Sequence, residues 1–317
     1  MLSAFVDWLL SFQIYLPIAE ISISVVLLLA LGGGVGFLSG LFGVGGGFLL
    51  TPLLIFIGIP PAVAVATQSN QVVASSVSGV MVHWGRGNVD LAMGVAMLGG
   101  GLLGSSIGIV AFSLLRHFGQ IDVVIAVAYV VTLGTIGTMM MVESIQALRR
   151  VRRKATPRKL HQHNWAHGLP FKWRFKKSRL YISALLPIGL GAMVGLMSAI
   201  MGVGGAFMLV PAMIYVLGMP TSVVIGTSLF QIIFVSGYVT ILQSWQNHAV
   251  DILLALLLTI GSVVGAQVGG RIGIKLPGEQ LRFLLALLIV AVAALLLVEL
   301  VRQPADLYAI MAIGSSH

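Results

Sequence analysis

Long hydrophobic segments recur along almost the entire chain, separated by short polar, basic or glycine-rich stretches. A helix that spans a bilayer needs about 20 predominantly apolar residues. Segments of this kind lie at 21–39, 62–82, 90–112 and 121–143 in the first half, and at 181–199, 222–244, 251–270 and 281–301 in the second. In each half a shorter apolar segment follows the first long one, near 47–58 and 206–217. This pattern predicts an all-α polytopic membrane protein with about four long spans and one short broken segment in each half.

The composition agrees with a membrane protein and excludes several kinds of chemistry. Of the 317 residues, 58% are hydrophobic and 9% are charged, whereas a soluble domain carries roughly 25% charged residues. The chain contains no cysteine, so disulfides, thiolate metal sites and cysteine catalysis are excluded. The sequence has no nucleophile paired with a base and no cluster of metal ligands. We therefore expect no enzyme activity, no cofactor and no metal.

The two halves of the chain share a sequence pattern. Phe42–Phe48 contains Gly-Val-Gly-Gly-Gly, and Met201–Phe207 contains Gly-Val-Gly-Gly-Ala at the matching place. Further matches follow in the same order in both halves: Pro52 and Pro211, Thr67 and Thr227, Gln71 and Gln231, Trp84 and Trp245, and Asp90 and Asp251. Glycine-interrupted hydrophobic segments at corresponding positions of two halves point to the binding site of a transporter. The order of the matches predicts an internal duplication.

Positive charge is concentrated between the two halves. Twelve of the 18 Lys and Arg residues fall between Arg149 and Arg179, and this stretch contains no Asp or Glu. Short loops rich in Lys and Arg stay on the cytoplasmic side of a membrane, and this is the interpretation that we favour. Contact with anionic lipid headgroups and contact with a partner protein remain open as additional roles, whereas nucleic-acid binding is not expected.

These patterns divide the chain into five parts. They are an N-terminal interfacial segment at 1–19, a first transmembrane repeat at 20–148, a basic cytoplasmic loop at 149–179, a second transmembrane repeat at 180–303 and a C-terminal tail at 304–317. If each half crosses the membrane an odd number of times, Arg86 and the 271–282 loop lie on the same side of the membrane as the basic loop. An even number, with the short segments turning back, moves the 271–282 loop to the other side. The charge pattern therefore predicts inverted repeats with both termini outside the cytoplasm.

The glycine clusters at 43–47 and 202–205 differ from the other glycines of the spans. Small residues let membrane helices pack closely. That explanation suffices for six more widely spaced glycines, namely Gly100, Gly104, Gly108, Gly261, Gly265 and Gly269. Adjacent glycines weaken a helix by about 1 kcal/mol each, so the clusters predict an irregular stretch before a new helix, whose first N–H groups attract anions. Close packing is the alternative here too. The candidate residues are Gly43, Gly45, Gly46, Gly47, Gly202, Gly204 and Gly205.

A polar patch follows each glycine cluster inside hydrophobic sequence. Thr67–Gln71 reads Thr-Gln-Ser-Asn-Gln, and Thr227–Gln231 reads Thr-Ser-Leu-Phe-Gln. Unpaired amide groups are costly in lipid, so these side chains must face protein or water. They either join helices by hydrogen bonds or line a neutral cavity for a substrate. The candidate residues for such a cavity are Thr67, Gln68, Asn70, Gln71, Thr227, Ser228 and Gln231.

Carboxylates are scarce within the spans. Those closest to them fall near predicted span ends, where solvated side chains are expected: Asp90, Asp122, Glu143, Asp251 and Glu299. No acidic side chain lies in the middle of a span, where it could relay protons.

The chain resembles the sulfite exporter TauE/SafE family of bacterial membrane permeases. The resemblance covers most of the chain and rests on the paired Gly-Val-Gly-Gly motifs at 43–46 and 202–205, on Pro52 and Pro211, and on the polar regions that begin at Thr67 and Thr227. It implies export of small sulfur anions, such as sulfite or sulfoacetate, from a bacterial cell through the inner membrane. The individual substrate does not carry over, because members are associated with other small anions as well.

From the residues and the resemblance together we expect an exporter of small anions, with sulfur oxyanions such as sulfite and organosulfonates as the substrate class. The anion would bind at the glycine-rich broken helices between the repeats. The expected partners are this anion and membrane lipid, with anionic headgroups at the 149–179 loop. The alternative is an intramembrane assembly or sensory protein that acts through the basic loop.

Overall fold

The computed structural model of the chain describes residues 12–42, 47–152, 171–175, 177–178, 180–273 and 278–301, and these residues are mostly helical. In the first half, the elements are β1 (Gln13–Leu16), β2 (Ile21–Ser24), α1 (Val25–Phe42), α2 (Gly47–Phe56), α3 (Pro61–Gly85), α4 (Leu91–His117) and α5 (Ile121–Arg152). In the second half, they are β3 (Lys172–Phe175), β4 (Leu180–Ser183), α6 (Leu185–Met201), α7 (Ala206–Tyr215), α8 (Thr221–Asn247), α9 (Ile252–Gly273) and α10 (Gly278–Val301).

The helices agree with the predicted spans in position but not all of them in length. Within the described part of the chain, five helices are long and apolar enough to cross a membrane: Leu91–His117, Ile121–Gln146, Val223–Asn247, Ile252–Gly269 and Phe283–Val301. The protein is therefore polytopic, as predicted. The expectation of four long spans in each half is only partly met, because α1 and α6 contribute only shorter apolar helices and α3 is not among the five.

Two short hairpins replace the predicted helical starts of the two halves. The spans predicted to begin at 21 and 181 begin instead with strands, since β1 pairs antiparallel with β2 and β3 with β4. Residues 21–24 read Ile-Ser-Ile-Ser, an alternation with the period of a strand. The N-terminal interfacial segment is described only from residue 12, and its described part belongs to the first hairpin.

Close pairs of parallel helices join the two halves. In α1, Gly32 lies against Leu258 of α9, and further along Gly40 lies against Ala266. Because residue numbers increase in the same direction along both helices at these contacts, α1 and α9 run parallel. In the same way α4 and α6 run parallel, since residues 100 to 108 of α4 meet residues 188 to 199 of α6 in ascending order.

The central helices α3 and α8 run antiparallel to each other. Thr67, near the start of α3, hydrogen-bonds to Asp251 just after the end of α8, and Gly226, near the start of α8, lies against Asn88 just after the end of α3. The starts of α1, α3 and α9 therefore share one end of the bundle, which we call the Asp251 end. The starts of α4, α6 and α8 share the opposite end, the Asp90 end.

These directions give the path of the short segments. Because α1 and α3 start at the same end, α2 must return the chain to the end from which α1 entered. By the same reasoning α7 turns back to the Asp90 end. Each half therefore has one pair of helices that enters and returns, followed by three long helices. This path agrees with the odd number of crossings that the charge pattern favours, and the number itself stays a prediction.

The widely spaced glycines lie where two helix backbones touch, and the prediction of close packing is confirmed. A side chain at Gly104 would collide with the backbone of Ala192, and one at Gly265 would collide with the backbone of Gly33. Backbones that approach this closely exclude even a methyl group. The pairs α4–α6 and α1–α9 thus form rigid contacts between the halves.

We expect Gly104→Val to lower the melting temperature of the purified protein in detergent, because the added side chain forces α4 away from α6. Overpacking of this kind costs about 1–3 kcal/mol or more. Gly99→Val is the matched control, because Gly99 is on the same helix, is exposed, and has no neighbouring atom where its Cβ would lie. Equal melting temperatures for the two variants would contradict the close-packing role of Gly104.

Candidate functional site

The second glycine cluster forms an irregular turn between two helices, as predicted. Gly202 ends α6 with φ 70°, and Gly205 precedes α7 with φ 74°. Gly204 also has a positive φ, of 68°. L-residues with side chains rarely adopt this left-handed conformation, which explains why glycine occupies these positions. We call residues 202–205 the glycine turn. Of the first cluster, Gly43, Gly45 and Gly46 lie outside the described residues.

The broken segments of the two halves meet inside the bundle. A Cβ on Gly47, the first residue of α2, would lie 2.6 Å from the carbonyl oxygen of Val203 in the glycine turn. The rings of Phe48 and Phe207 pack beside this contact with their centroids 5.8 Å apart. Gly204 lies against Val72 of α3. The glycine turn is therefore enclosed by both halves, with no room for larger residues.

Gln68 joins three elements around this meeting point. Its side-chain oxygen accepts a hydrogen bond from the hydroxyl of Thr51, and its amide nitrogen donates to the carbonyl oxygen of Gly47. The same nitrogen donates to the carbonyl oxygen of Gly202 over 3.2 Å. Gln68 is fully buried, and its contacts agree with the first of the two interpretations of the polar patch, hydrogen bonding between helices.

Replacing Gln68 with leucine should lower the melting temperature of the purified protein. The change removes the partners of Thr51, Gly47 and Gly202, and a buried polar group without a partner costs about 1–3 kcal/mol. Ser69→Ala is the adjacent control, because the Ser69 hydroxyl donates only to Val65 within the same helix. A loss of stability no greater than that of Ser69→Ala would mean that the Gln68 contacts do not hold the elements together.

Gln71 and Gln231 differ from Gln68 because their amide groups have no partner. Both side chains are fully buried, and neither the amide oxygen nor the amide nitrogen of either one makes a hydrogen bond within the described residues. The Gln231 nitrogen points toward α4, since it lies 2.8 Å from the position that a Cβ on Gly101 would occupy. Buried polar atoms are almost always paired in proteins, so these two amides are the strongest sign of a site that binds a polar molecule.

Three serines that the sequence did not single out also lack hydrogen-bond partners, as these glutamines do. Ser76, Ser198 and Ser236 are buried, and their hydroxyl groups have no partner among the described residues. The Ser236 hydroxyl lies 3.0 Å from the position that a Cβ on Gly204 would occupy, so it borders the glycine turn. The signal was present in the alignment of the halves, because Ser76 follows Gln71 at the same spacing as Ser236 follows Gln231.

The remaining candidates of the polar patches occupy different surroundings. The Thr67 hydroxyl accepts a hydrogen bond from the N–H of Asp251, and the Thr227 hydroxyl accepts one from the N–H of Asp90, each over 3.0 Å. The Ser228 hydroxyl donates to a carbonyl of its own helix. Asn70 is exposed at the surface of the described fold, so the structure does not bring it together with the buried glutamines.

The segments that carry the glycine clusters and the polar patches contain no charged residue. Neither 21–85 nor 180–250 includes a single Lys, Arg, Asp or Glu, and these ranges hold both glycine clusters and both polar patches. An anion at this place would be held by dipoles alone. They come from the first N–H groups of α7, where the helix dipole is positive, and from amide and hydroxyl groups.

Comparison with known proteins identifies the family. Residues 28–296 match the family described as sulfite exporter TauE/SafE. The chain belongs to this family. A relative from Bacillus subtilis, named probable membrane transporter protein YjnA, is 30% identical over 271 residues, which cover 84% of this chain and 96% of the relative. A probable membrane transporter protein from Xylella fastidiosa is 29% identical over 280 residues, covering 85% and 94%.

The TauE/SafE family also includes a plant relative of this chain. Sulfite exporter TauE/SafE family protein 6 of Arabidopsis thaliana is 34% identical over 113 residues, which cover 35% of this chain and 24% of that protein. No solved structure matches the chain. The resemblance inferred from the glycine motifs is confirmed, and the chain is a multi-pass membrane protein of a transporter family and not an enzyme.

Proposed function

We propose that this TauE/SafE protein exports small anions across a bacterial inner membrane, with sulfite and organosulfonates as its substrate class. The main support is one observation. Gln71 and Gln231 occupy matching positions in the two halves, and both are buried with unpaired amide groups. A packing role alone would have supplied partners, as it does for Gln68. The family, described as sulfite exporter TauE/SafE, supports sulfite as a substrate, and organosulfonates extend the proposal to related sulfur oxyanions.

The halves are two inverted repeats that move against each other. Support comes from the order of elements, which is the same in both halves, and from the opposite ends at which α1 and α6 start. It also comes from charge, because Arg86, Lys177 and Arg271 all belong to the Asp90 end. Lys and Arg mark cytoplasmic loops, so the Asp90 end faces the cytoplasm together with the loop at 149–179. Inverted repeats with broken helices at their interface are a recurring design of secondary transporters.

The anion binds between Gly47, the first residue of α2, and the glycine turn, beside both glutamines. Backbone N–H groups at the start of a helix and side-chain NH2 and OH groups are all donors, and a sulfur oxyanion presents only acceptors. The absence of carboxylates from 21–85 and 180–250 removes electrostatic repulsion. Ser236 and Ser198 supply further donors to the same anion.

The test is anion flux in proteoliposomes made with the purified protein. Sulfite, an organosulfonate, sulfate, lactate and chloride are loaded separately, and release is compared with that of protein-free vesicles. Accelerated release of sulfite or the organosulfonate is the expected result. Release at the protein-free rate for all five anions would contradict the proposal.

A deletion variant distinguishes transport from a role of the basic loop in assembly or signalling. Removal of residues 153–170 deletes four of the basic residues between the halves but leaves the β3–β4 hairpin and the buried glutamines in place. A transporter of the proposed kind keeps measurable flux after this deletion. If the deletion variant folds but shows no anion flux, the result would instead favour the alternative function.

A further inference from the structure

Asp90 connects the two halves at one end of the bundle. It lies before the first turn of α4, where one carboxylate oxygen accepts a hydrogen bond from the N–H of Met93 over 3.3 Å. Its other oxygen accepts hydrogen bonds from the N–H and the hydroxyl of Ser178, at the turn of the β3–β4 hairpin, over 2.9 and 2.6 Å. The Asp90 N–H donates to Thr227 of α8. Asp90 belongs to the first half, whereas Ser178 and Thr227 belong to the second.

Asp251 makes the corresponding connections at the opposite end. One of its carboxylate oxygens accepts from the N–H groups of Leu253 and Leu254 in the first turn of α9, each over 3.1 Å. The other accepts from the N–H of Ile18, at the turn of the β1–β2 hairpin, over 3.1 Å. The Asp251 N–H donates to Thr67 of α3. Here the carboxylate belongs to the second half, and its hairpin and threonine partners belong to the first.

Both carboxylates are buried, with exposed fractions of 3% for Asp90 and 1% for Asp251. The sequence predicted solvated side chains at these positions, and that prediction is wrong. Each carboxylate is stabilised by several N–H or O–H donors, which form stronger hydrogen bonds with a charged acceptor than with a neutral one. The two sets of contacts therefore hold the halves together at both ends of the bundle.

The hydrogen bonds around each carboxylate are also connected to the candidate binding site. Thr67 and Gln71 are separated by one helical turn on α3, and Thr227 and Gln231 are separated by one turn on α8. A movement of α8 that disturbs Gln231 therefore acts on Thr227 and the Asp90 contacts. A movement of α3 acts in the same way on the Asp251 contacts.

We infer that the two sets are the gates of alternating access, and this inference rests on the proposed transport function. The Asp90 gate consists of Asp90, Ser178 and Thr227, and the Asp251 gate consists of Asp251, Ile18 and Thr67. Opening one end requires one half to move away from the other at that end, which breaks one gate and leaves the other intact. Both gates are closed in this structure, and the buried glutamines have the exposure expected of the occluded state.

The test measures access to the site from each side of the membrane, and it does not depend on flux. The chain contains no cysteine, so Ser236→Cys introduces a single thiol beside the glycine turn. A charged, membrane-impermeant methanethiosulfonate is added to right-side-out and to inside-out vesicles, and the rate of thiol modification is measured. Asp90→Asn and Asp251→Asn are then introduced separately, because asparagine still caps a helix but lacks the charge.

We expect Asp90→Asn to accelerate labelling several-fold from the side of Arg86 and Arg271 only. Asp251→Asn should accelerate it several-fold from the opposite side only. Ser178→Ala should accelerate labelling from the same side but by less, since it removes the hydroxyl donor in the other half and leaves the Ser178 N–H and the helix cap in place. Ser75→Ala is the control, because the Ser75 hydroxyl bonds within its own helix, and it should change neither rate.

Acceleration from both sides by each variant, or from neither side by any of them, would overturn the inference. Such a result combined with normal anion flux would mean that the protein transports but is not gated at these carboxylates. Side-specific acceleration in a protein that moves none of the anions would support the gates while contradicting the anion as substrate. Failure of the gates and failure of the proposed function are therefore distinguishable.

Discussion

Gln71→Leu and Gln231→Leu each abolish anion flux and raise the melting temperature of the protein. The two effects have one cause, because the amide groups are buried without partners in the folded protein. A buried polar group without a hydrogen bond costs about 1–3 kcal/mol, and leucine of similar size replaces that cost with favourable apolar burial. The same replacement removes the donors that an anion needs.

The measurement pairs flux in proteoliposomes with thermal unfolding of the purified variants. Gln243→Leu provides the matched control, since Gln243 is also buried on α8 but has partners. Its amide nitrogen donates to Ala199 over 3.3 Å, and its amide oxygen accepts from Asn247 over 2.6 Å. This control should unfold at a lower temperature and keep its flux per folded molecule. Lower melting temperatures for the Gln71 and Gln231 variants would mean that their amides have structural partners and not a substrate.

Gly204→Ala produces the second large effect, a strong loss of both flux and stability. The left-handed backbone of Gly204 costs an alanine about 1–2 kcal/mol. In addition, the new methyl group would collide with Val72 and would lie 3.0 Å from the Ser236 hydroxyl and 3.1 Å from Ile232. The glycine turn must shift to relieve these contacts, and the N–H groups that follow it then lose their positions.

Gly218→Ala separates the backbone strain from the collision. Gly218 has φ 72°, close to that of Gly204, but it is exposed and no atom lies near the position of its Cβ. The Gly218→Ala variant should therefore lose only the stability that the backbone strain costs, and its anion flux should be normal. If both alanine variants lose the same stability and keep the same flux, the packing around Gly204 has no role in transport.

The positions of the helices could be predicted from sequence because each apolar segment ends at a strong local signal. Pro60 and Pro220 precede α3 and α8, and the glycine turn at 202–205 separates α6 from α7 with left-handed residues. The glycines at 202–205 correctly indicated an irregular stretch, although three adjacent glycines also lie inside α1 and inside α4. Physical rules that act over a few residues were sufficient at these places.

Features that depend on contacts between distant residues could not be predicted. The hydrophobicity of 21–24 is equally suited to a membrane helix, and only pairing with 13–16 makes it a strand. Hydropathy does not reveal that α2 returns the chain to the end from which α1 entered. Asp90 and Asp251 are near helix ends, as expected, but their burial depends on donors from the other half, Ser178 and Ile18.

Within the polar patches, the sequence could not separate structural from unpaired side chains. Gln68 and Gln71 have the same chemistry and lie within one turn of each other. Only the positions of Thr51, Gly47 and Gly202 give Gln68 its partners. The repeat pattern was the better guide, because Gln71 has a matching glutamine in the second half and Gln68 is matched by Ser228.

Anion-dependent unfolding tests the binding site most directly. Melting temperatures of the unmodified protein and of the Gln71→Leu/Gln231→Leu double variant are measured with increasing sulfite, organosulfonate, sulfate, lactate or chloride. A ligand at 100 times its Kd stabilises the folded state by about 2.7 kcal/mol. We predict that sulfite or the organosulfonate raises the melting temperature of the unmodified protein and leaves that of the double variant unchanged. An equal rise in both proteins, or a rise in neither, would contradict binding of the anion at the two buried glutamines.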